Sequence, residues 1–215
     1  MTKFELNRKK ISIHQAKPYL LLAMAALVAC LPVTSMLFTL KNDVLAIEYP
    51  FLHIISESVR NGESPIWFNT WCMGFPLQST LTWGAYSTPA VLTGTLLPFD
   101  IYVLHAMFVL FVMSSGWAMF KLLATHFLED RKLSLLFSCC YMLSGFTVSS
   151  SQWLLYITGM TFIPIVLYYT LNLLKRPSLK RSFYWGLSYF LLLTNVHIYL
   201  TVFTSYFLFF FFLFI

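Results

Sequence analysis

Charge is what this sequence has least of. Only 10% of its 215 residues are charged and eight are acidic, whereas an ordinary soluble domain carries about 25% charged residues. That shortage excludes a water-soluble globule with a charged shell. Cysteine is sparse as well: four residues, with no C-x-x-C pair and no Cys/His spacing, support neither a disulfide framework nor a zinc site. Cys30 ends "LVAC" behind a basic start, the outline of a lipoprotein cleavage site. The apolar run continues for ten residues beyond it, however, which is too long for a signal core. A net charge of +6 does not mark a nucleic-acid binder either, because the basic residues fall in short clusters between apolar runs.

What the chain has in abundance is apolar surface, 59% hydrophobic and 19% aromatic, with a mean hydropathy of +0.74. A membrane-spanning helix needs about 20 mostly apolar residues. Runs approaching that length occur at 19–40, 101–120, 133–148, 154–174, 183–194 and 198–215, with Pro164 a candidate kink in the fourth. The expected fold is an all-α polytopic membrane protein of about six spans. A basic N-terminus covers 1–18, the first span 19–40, a long loop 41–100, and spans two to six 101–215. The last run stops in "FFFFLFI" without a flanking charge, which leads us to expect the front part of a longer protein.

Lys and Arg accumulate on the cytoplasmic side of membrane proteins. With the N-terminus in the cytoplasm, twelve of the 14 basic residues fall on that side, leaving Lys41 and Arg60 outside. Trp153 and Trp185 then lie near opposite boundaries, as aromatic belts do. The localisation expected is a plasma membrane, with the 41–100 loop facing outward.

That loop carries the chemistry. It begins "KNDVLAIEYPF", with Asp43 and Glu48 just beyond the first apolar run. An acid at such a boundary is partly desolvated. Asp43 is therefore a candidate general base toward a hydroxyl, or a ligand for a divalent cation such as Mg or Mn. The plain alternative is a solvated acid ending a helix, paired with Lys41. In a regular helix Glu48 lies about 140° around the axis from Asp43, so the two share a site only if 43–47 is irregular. Pro50 to Arg60 reads as an amphipathic helix on the outer membrane surface, ended by Asn61-Gly62. Leu52, Ile55 and Val59 form its apolar face, and His53, Ser56, Glu57 and Arg60 its polar one.

On that polar face, His53 and Glu57 form either a solvated pair or part of a metal or phosphate site. Arg60 either holds a lipid phosphate or pairs with Glu57. Trp67, Trp71 and Trp83 either stack on sugar rings or anchor the loop. A second short helix is expected over 89–97. Asn195 and His197 either face a cavity or mark a turn. "SSSQW", Ser149 to Trp153, reads as a short outer turn.

Three segments, "NDVLAIEYPF", "VRNGESPIWFNTWCMGFP" and "STPAVLTGTLLPFD", resemble the YfhO family of bacterial membrane proteins. That family is similar to the C-type glycosyltransferases, which use polyprenyl-phosphate sugars. The matching positions are Asp43, Glu48 and Pro50, then Gly62, Pro65 and Trp67, then Gly74 and Pro76. "YMLSGF", 141–146, also looks like the family. The resemblance implies that Asp43 is the loop acid acting on the acceptor or holding a divalent metal. Glu48, His53, Arg60, Trp67 and His197 are then candidate substrate contacts. Glu48 stands where the family more often has Gln, so the resemblance does not make it a second acid.

The function implied is transfer of a sugar from a polyprenyl-phosphate donor to a cell-envelope polymer or lipid, teichoic-acid-like polymers among them. The partners are membrane lipids, the lipid-linked sugar and the acceptor, and no nucleic acid. The rival readings are a transporter or flippase for an envelope precursor, which predicts ionisable residues inside the spans, and an inactive truncated segment. The charge asymmetry makes a direct prediction. A cysteine introduced at Glu63 will react with a membrane-impermeant maleimide on intact cells, whereas one at Ser178 will react only after permeabilisation. The reverse pattern would invert the topology.

Overall fold

The computed structural model describes residues 13–64, 67, 68, 74–76, 92 and 95–214. They form an all-helical bundle. Helix α1 spans Ile13–Ala29 and α2 Leu31–Thr34; a π-turn over Val44–Glu48 leads into α3, Tyr49–Arg60. Helix α4 covers Ile101–His126, α5 Arg131–Met142 and α6 Gly145–Ser149. After a 3-10 turn at Ser150–Gln152 come α7, Leu154–Lys175, then α8, Leu179–Asn195, and α9, Ile198–Leu213. A two-residue antiparallel ladder, β1 Trp67–Phe68 on β2 Phe75–Pro76, sits in the long loop, where the sequence shows no strand period.

Three segments are long and apolar enough to cross a membrane: Ile101–His126, Arg131–Gln152 and Leu154–Lys175. Two more apolar helices, Ala16–Ala29 and Ile198–Leu213, are shorter. The six-span expectation is thus met for three segments. The first departs most from expectation, because 19–40 is not one helix. It breaks at Cys30, since Pro32 has no N–H to donate to Val28. The hydroxyls of Thr34 and Ser35 then take the Leu31 carbonyl, at 3.1 and 2.7 Å, and Met36 adopts a positive φ of 58°. The third expected span is interrupted too, at Leu143 and Ser144, where Ser144 leaves the helix with extended ψ before α6 begins.

Helix α4 packs most broadly on α7, and α1 and α5 close over α4. Their shared core includes Leu22, Ala26, Leu104, Phe108, Met142 and Ile157. Smaller apolar contacts through Val166, Leu192, Val196 and Leu208 join α7, α8 and α9. Between apolar helices, buried hydroxyls and indoles supply directional contacts. Trp117 donates to the Tyr19 carbonyl at 2.8 Å, Thr161 to the Phe111 carbonyl at 2.9 Å, and Trp185 to the Thr170 hydroxyl at 2.9 Å.

Helix α7 continues through Pro164 for a specific reason. A proline cannot donate to the carbonyl four residues back, here that of Met160. The Tyr141 hydroxyl of α5 donates to that carbonyl instead, at 3.0 Å. Tyr141→Phe should therefore cost about 1 kcal/mol with Pro164 present and much less in a Pro164→Ala background, whose restored N–H serves the same oxygen. Thermal unfolding of the four variants in detergent checks this, and equal costs in both backgrounds would contradict it.

Candidate functional site

The loop after α1 and the start of α7 meet through one side chain. Glu48 is 2% exposed, and its carboxylate accepts from the backbone N–H of Leu154 at 2.6 Å and of Leu155 at 3.3 Å. These are among the first N–H groups of α7, which have no partner inside their own helix. An acid at that end also meets the favourable helix dipole. Burial nevertheless dominates and pushes the Glu48 carboxyl up to about 7; the two backbone bonds pull down and nearby Asp43 pushes up.

The two acids are brought together by the π-turn, in which the Tyr49 N–H donates to the Val44 carbonyl five residues back. A five-residue closure puts position 48 over position 43 rather than the about 140° away that a regular helix would give. Asn42, with φ 61°, sets the entry, and its amide donates to the Gln152 side chain at 3.0 Å. Asp43 is half-buried there. Among the described residues, Lys41 and Asp43 form no ion pair; the one ion pair is Arg60 with Glu57 at 3.7 Å.

An open cleft of about 390 Å³ is lined by Lys41 and Asn42, the two residues before Asp43, which does not itself line it. Lys41, Asn42, Ser149, Ser151 and Gln152 give it a polar side and Phe38 and Phe108 an apolar one. Its floor is held by His105 of α4, whose Nε2 accepts from the Leu40 N–H at 3.2 Å while Nδ1 faces the Met36 sulfur at 2.8 Å.

The remaining candidates have other partners. His53 Nδ1 sits 2.6 Å from the Phe99 carbonyl, which fixes it as a donor, and the ring stacks on Tyr49. His53 thus ties α3 to the start of α4. Helix α3 ends at Asn61 and Gly62, and it buries Phe51, Leu52 and Ile55. Ser56, assigned by spacing to the polar face, is fully buried, because α3 is packed against the bundle on more than its Leu52 stripe. Trp67 is about half exposed in β1; its ring overlies Gly74, where any Cβ would fall 2.5 Å from it. Trp71, Trp83 and most of the 89–97 helix lie outside the described residues.

Asn195 is buried at the end of α8, where its carbonyl accepts from the Thr158 hydroxyl and its amide donates to the Leu191 carbonyl at 3.0 Å. His197 stacks on Tyr156 at 4.6 Å and accepts from the Tyr199 N–H at the start of α9. His53 and Arg60 thus bond to Phe99 and Glu57, whereas the His197 N–H donates to the Leu155 carbonyl at 3.3 Å, at the same end of α7 that Glu48 holds. Gln152, Lys41, Ser149 and Ser151 line the cleft, and for the serines and Gln152 the sequence signal is the polar cluster "SSSQ". No group of three or more His, Cys, Asp or Glu side chains is gathered to hold a metal among the described residues. Both Glu48 oxygens are already engaged by backbone N–H groups.

Compared with protein-family models, curated proteins and solved structures, the chain matches none.

The raised pKa of Glu48 has a definite sign. Between about 4.5 and 7 the unfolded chain has lost a proton that the folded chain keeps. Stability therefore falls as pH rises through this window, by about 3 kcal/mol in total, and levels off above it. Glu48→Gln should remove that slope, since its amide does not titrate and its oxygen still accepts from one N–H. Melting temperatures from pH 4.5 to 8 check this, and a slope shared by wild type and variant would contradict it.

Proposed function

We propose that this chain belongs to a membrane glycosyltransferase that moves a sugar from a polyprenyl-phosphate donor to a hydroxyl of a cell-envelope polymer or lipid, with Asp43 as the base. The resemblance of its loop segments to C-type enzymes motivates the reading. The observation that carries it is the cleft at Lys41 and Asn42, immediately before Asp43 in the chain, which presents a cation that is in no ion pair among the described residues. Lipid-linked donors present phosphate and sugar at headgroup height, beside an apolar tail. A cleft with Phe38 and Phe108 on one side and Lys41 and Asn42 on the other matches that division.

In this mechanism the Asp43 carboxylate takes the proton of the acceptor hydroxyl as its oxygen bonds to the anomeric carbon. The bond from that carbon to the phosphate oxygen breaks, and polyprenyl phosphate leaves with the electron pair. Lys41 faces the charge developing on that phosphate. Glu48 does not touch the reacting atoms. It positions Asp43 by holding the π-turn against α7.

A transporter or flippase finds less support. The Lys and Arg residues of the three long segments, Lys121, Arg131, Lys132 and Lys175, all stand near segment ends, whereas coupled transport calls for ionisable groups at midplane depth.

Removing a general base costs about 10²- to 10⁴-fold. Asp43→Asn, in full-length protein at normal membrane level, should lower sugar transfer from the lipid-linked donor by at least about 100-fold. Lys41→Gln should raise the donor KM more than it lowers kcat. Unchanged transfer in Asp43→Asn would remove Asp43 from the chemistry.

A further inference from the structure

At the opposite end of the bundle from Asp43, α1, α4, α5 and α7 leave two open clefts of about 470 and 620 Å³ that share Tyr19, Trp117 and Lys121. We infer that these joined clefts bind the phosphate headgroup of an anionic phospholipid, with Lys121 and Arg131 as its cationic contacts.

Lys121 and Arg131 both line the larger cleft, and no carboxylate lines either one. Among the described residues, neither cation is in an ion pair. The nearest acid in sequence, Asp130, turns a carboxylate oxygen onto the Lys132 N–H at 2.7 Å. Lys121 Nζ instead sits 4.8 Å over the Tyr168 ring. A cation–π contact holds the ammonium in place while leaving its protons free for an anion. Below the cations the walls turn apolar, through Leu20, Phe120 and Ile165, as an acyl chain continuing from a phosphate would require.

The Trp117 indole N–H is already spent on the Tyr19 carbonyl, so the indole serves as a wall between helices. The clefts also lie at the end of the bundle where Lys175, Arg176 and Arg181 gather; the Arg181 guanidinium donates there to the Asn172 and Arg176 carbonyls. Headgroup height is where Lys, Arg, Trp and Tyr collect in membrane proteins. A bound phosphate there would pin α1 to α4 and α5, which among the described residues are joined by the Trp117–Tyr19 bond and apolar contacts.

The test is native mass spectrometry of the full chain in detergent, with phosphatidylglycerol or phosphatidylcholine of identical acyl chains added. Two cations at about 1 kcal/mol each correspond to roughly a thirtyfold preference. Wild type should therefore retain phosphatidylglycerol over phosphatidylcholine by about that factor. The Lys121→Gln/Arg131→Gln pair should lose the preference, and Lys121→Arg should keep it. Arg176→Gln/Lys180→Gln, at the same end but outside the clefts, should also keep it. Equal loss in that second pair would reduce the site to a diffuse basic surface and overturn the proposal, as would equal retention of the two lipids. Displacement of the lipid by inorganic phosphate alone would overturn the assignment to a lipid.

Discussion

Everything at the loop end of this bundle depends on one carboxylate reaching across 106 positions. Glu48 satisfies the first N–H groups of α7, and in doing so it ties the loop after α1 to the most buried helix pair in the structure. Without it two backbone donors would be left buried and unpaired, at about 1–3 kcal/mol each. The bond also fixes the depth of the π-turn, and with it the position of Asp43. Burial holds the clamp's proton near neutral pH, so the charge at the site depends on the state of a group that does not itself face the cleft.

The two ends of the helices are built differently. At the loop end the contacts are hydrogen bonds between segments distant in sequence: His105 to Leu40, His53 to Phe99, Asn42 to Gln152. At the other end they are aromatic and cationic: Lys121 over Tyr168, His126 against the same ring, Arg181 on the Asn172 and Arg176 carbonyls at the end of α7. The first arrangement positions a site. The second suits anchoring among headgroups, where Lys, Arg and aromatic side chains are at home.

Apolar run length made the long helices legible. Helix α7 was expected over 154–174 and spans Leu154–Lys175, and α4 starts at Ile101 as expected because Asp100 caps it, accepting from the Val103 N–H at 2.9 Å. Hydropathy cannot see breaks made by local hydrogen bonds, which is why the interruptions at Cys30 and Ser144 were missed. The acid pair was hidden for another reason. Helical arithmetic separates Asp43 and Glu48, and only a π-turn, which carries no clear sequence signature, joins them. The Glu48–Leu154 bond joins a side chain to a backbone N–H, so the residue at 154 gives no sign of it. Residue chemistry marked Asp43 as a boundary acid, but it could not say that Lys41 would stand apart from it.

The central claim is that Glu48 is a buried, α7-bound acid rather than a solvated one. Carbon-13 NMR of the side-chain carboxyl in glutamate-labelled protein, assigned by comparison with Glu48→Gln, measures this directly. The account predicts a Glu48 titration midpoint near 7. A midpoint near the ordinary value of about 4.3 would mean that the carboxylate is in water and the clamp is not formed.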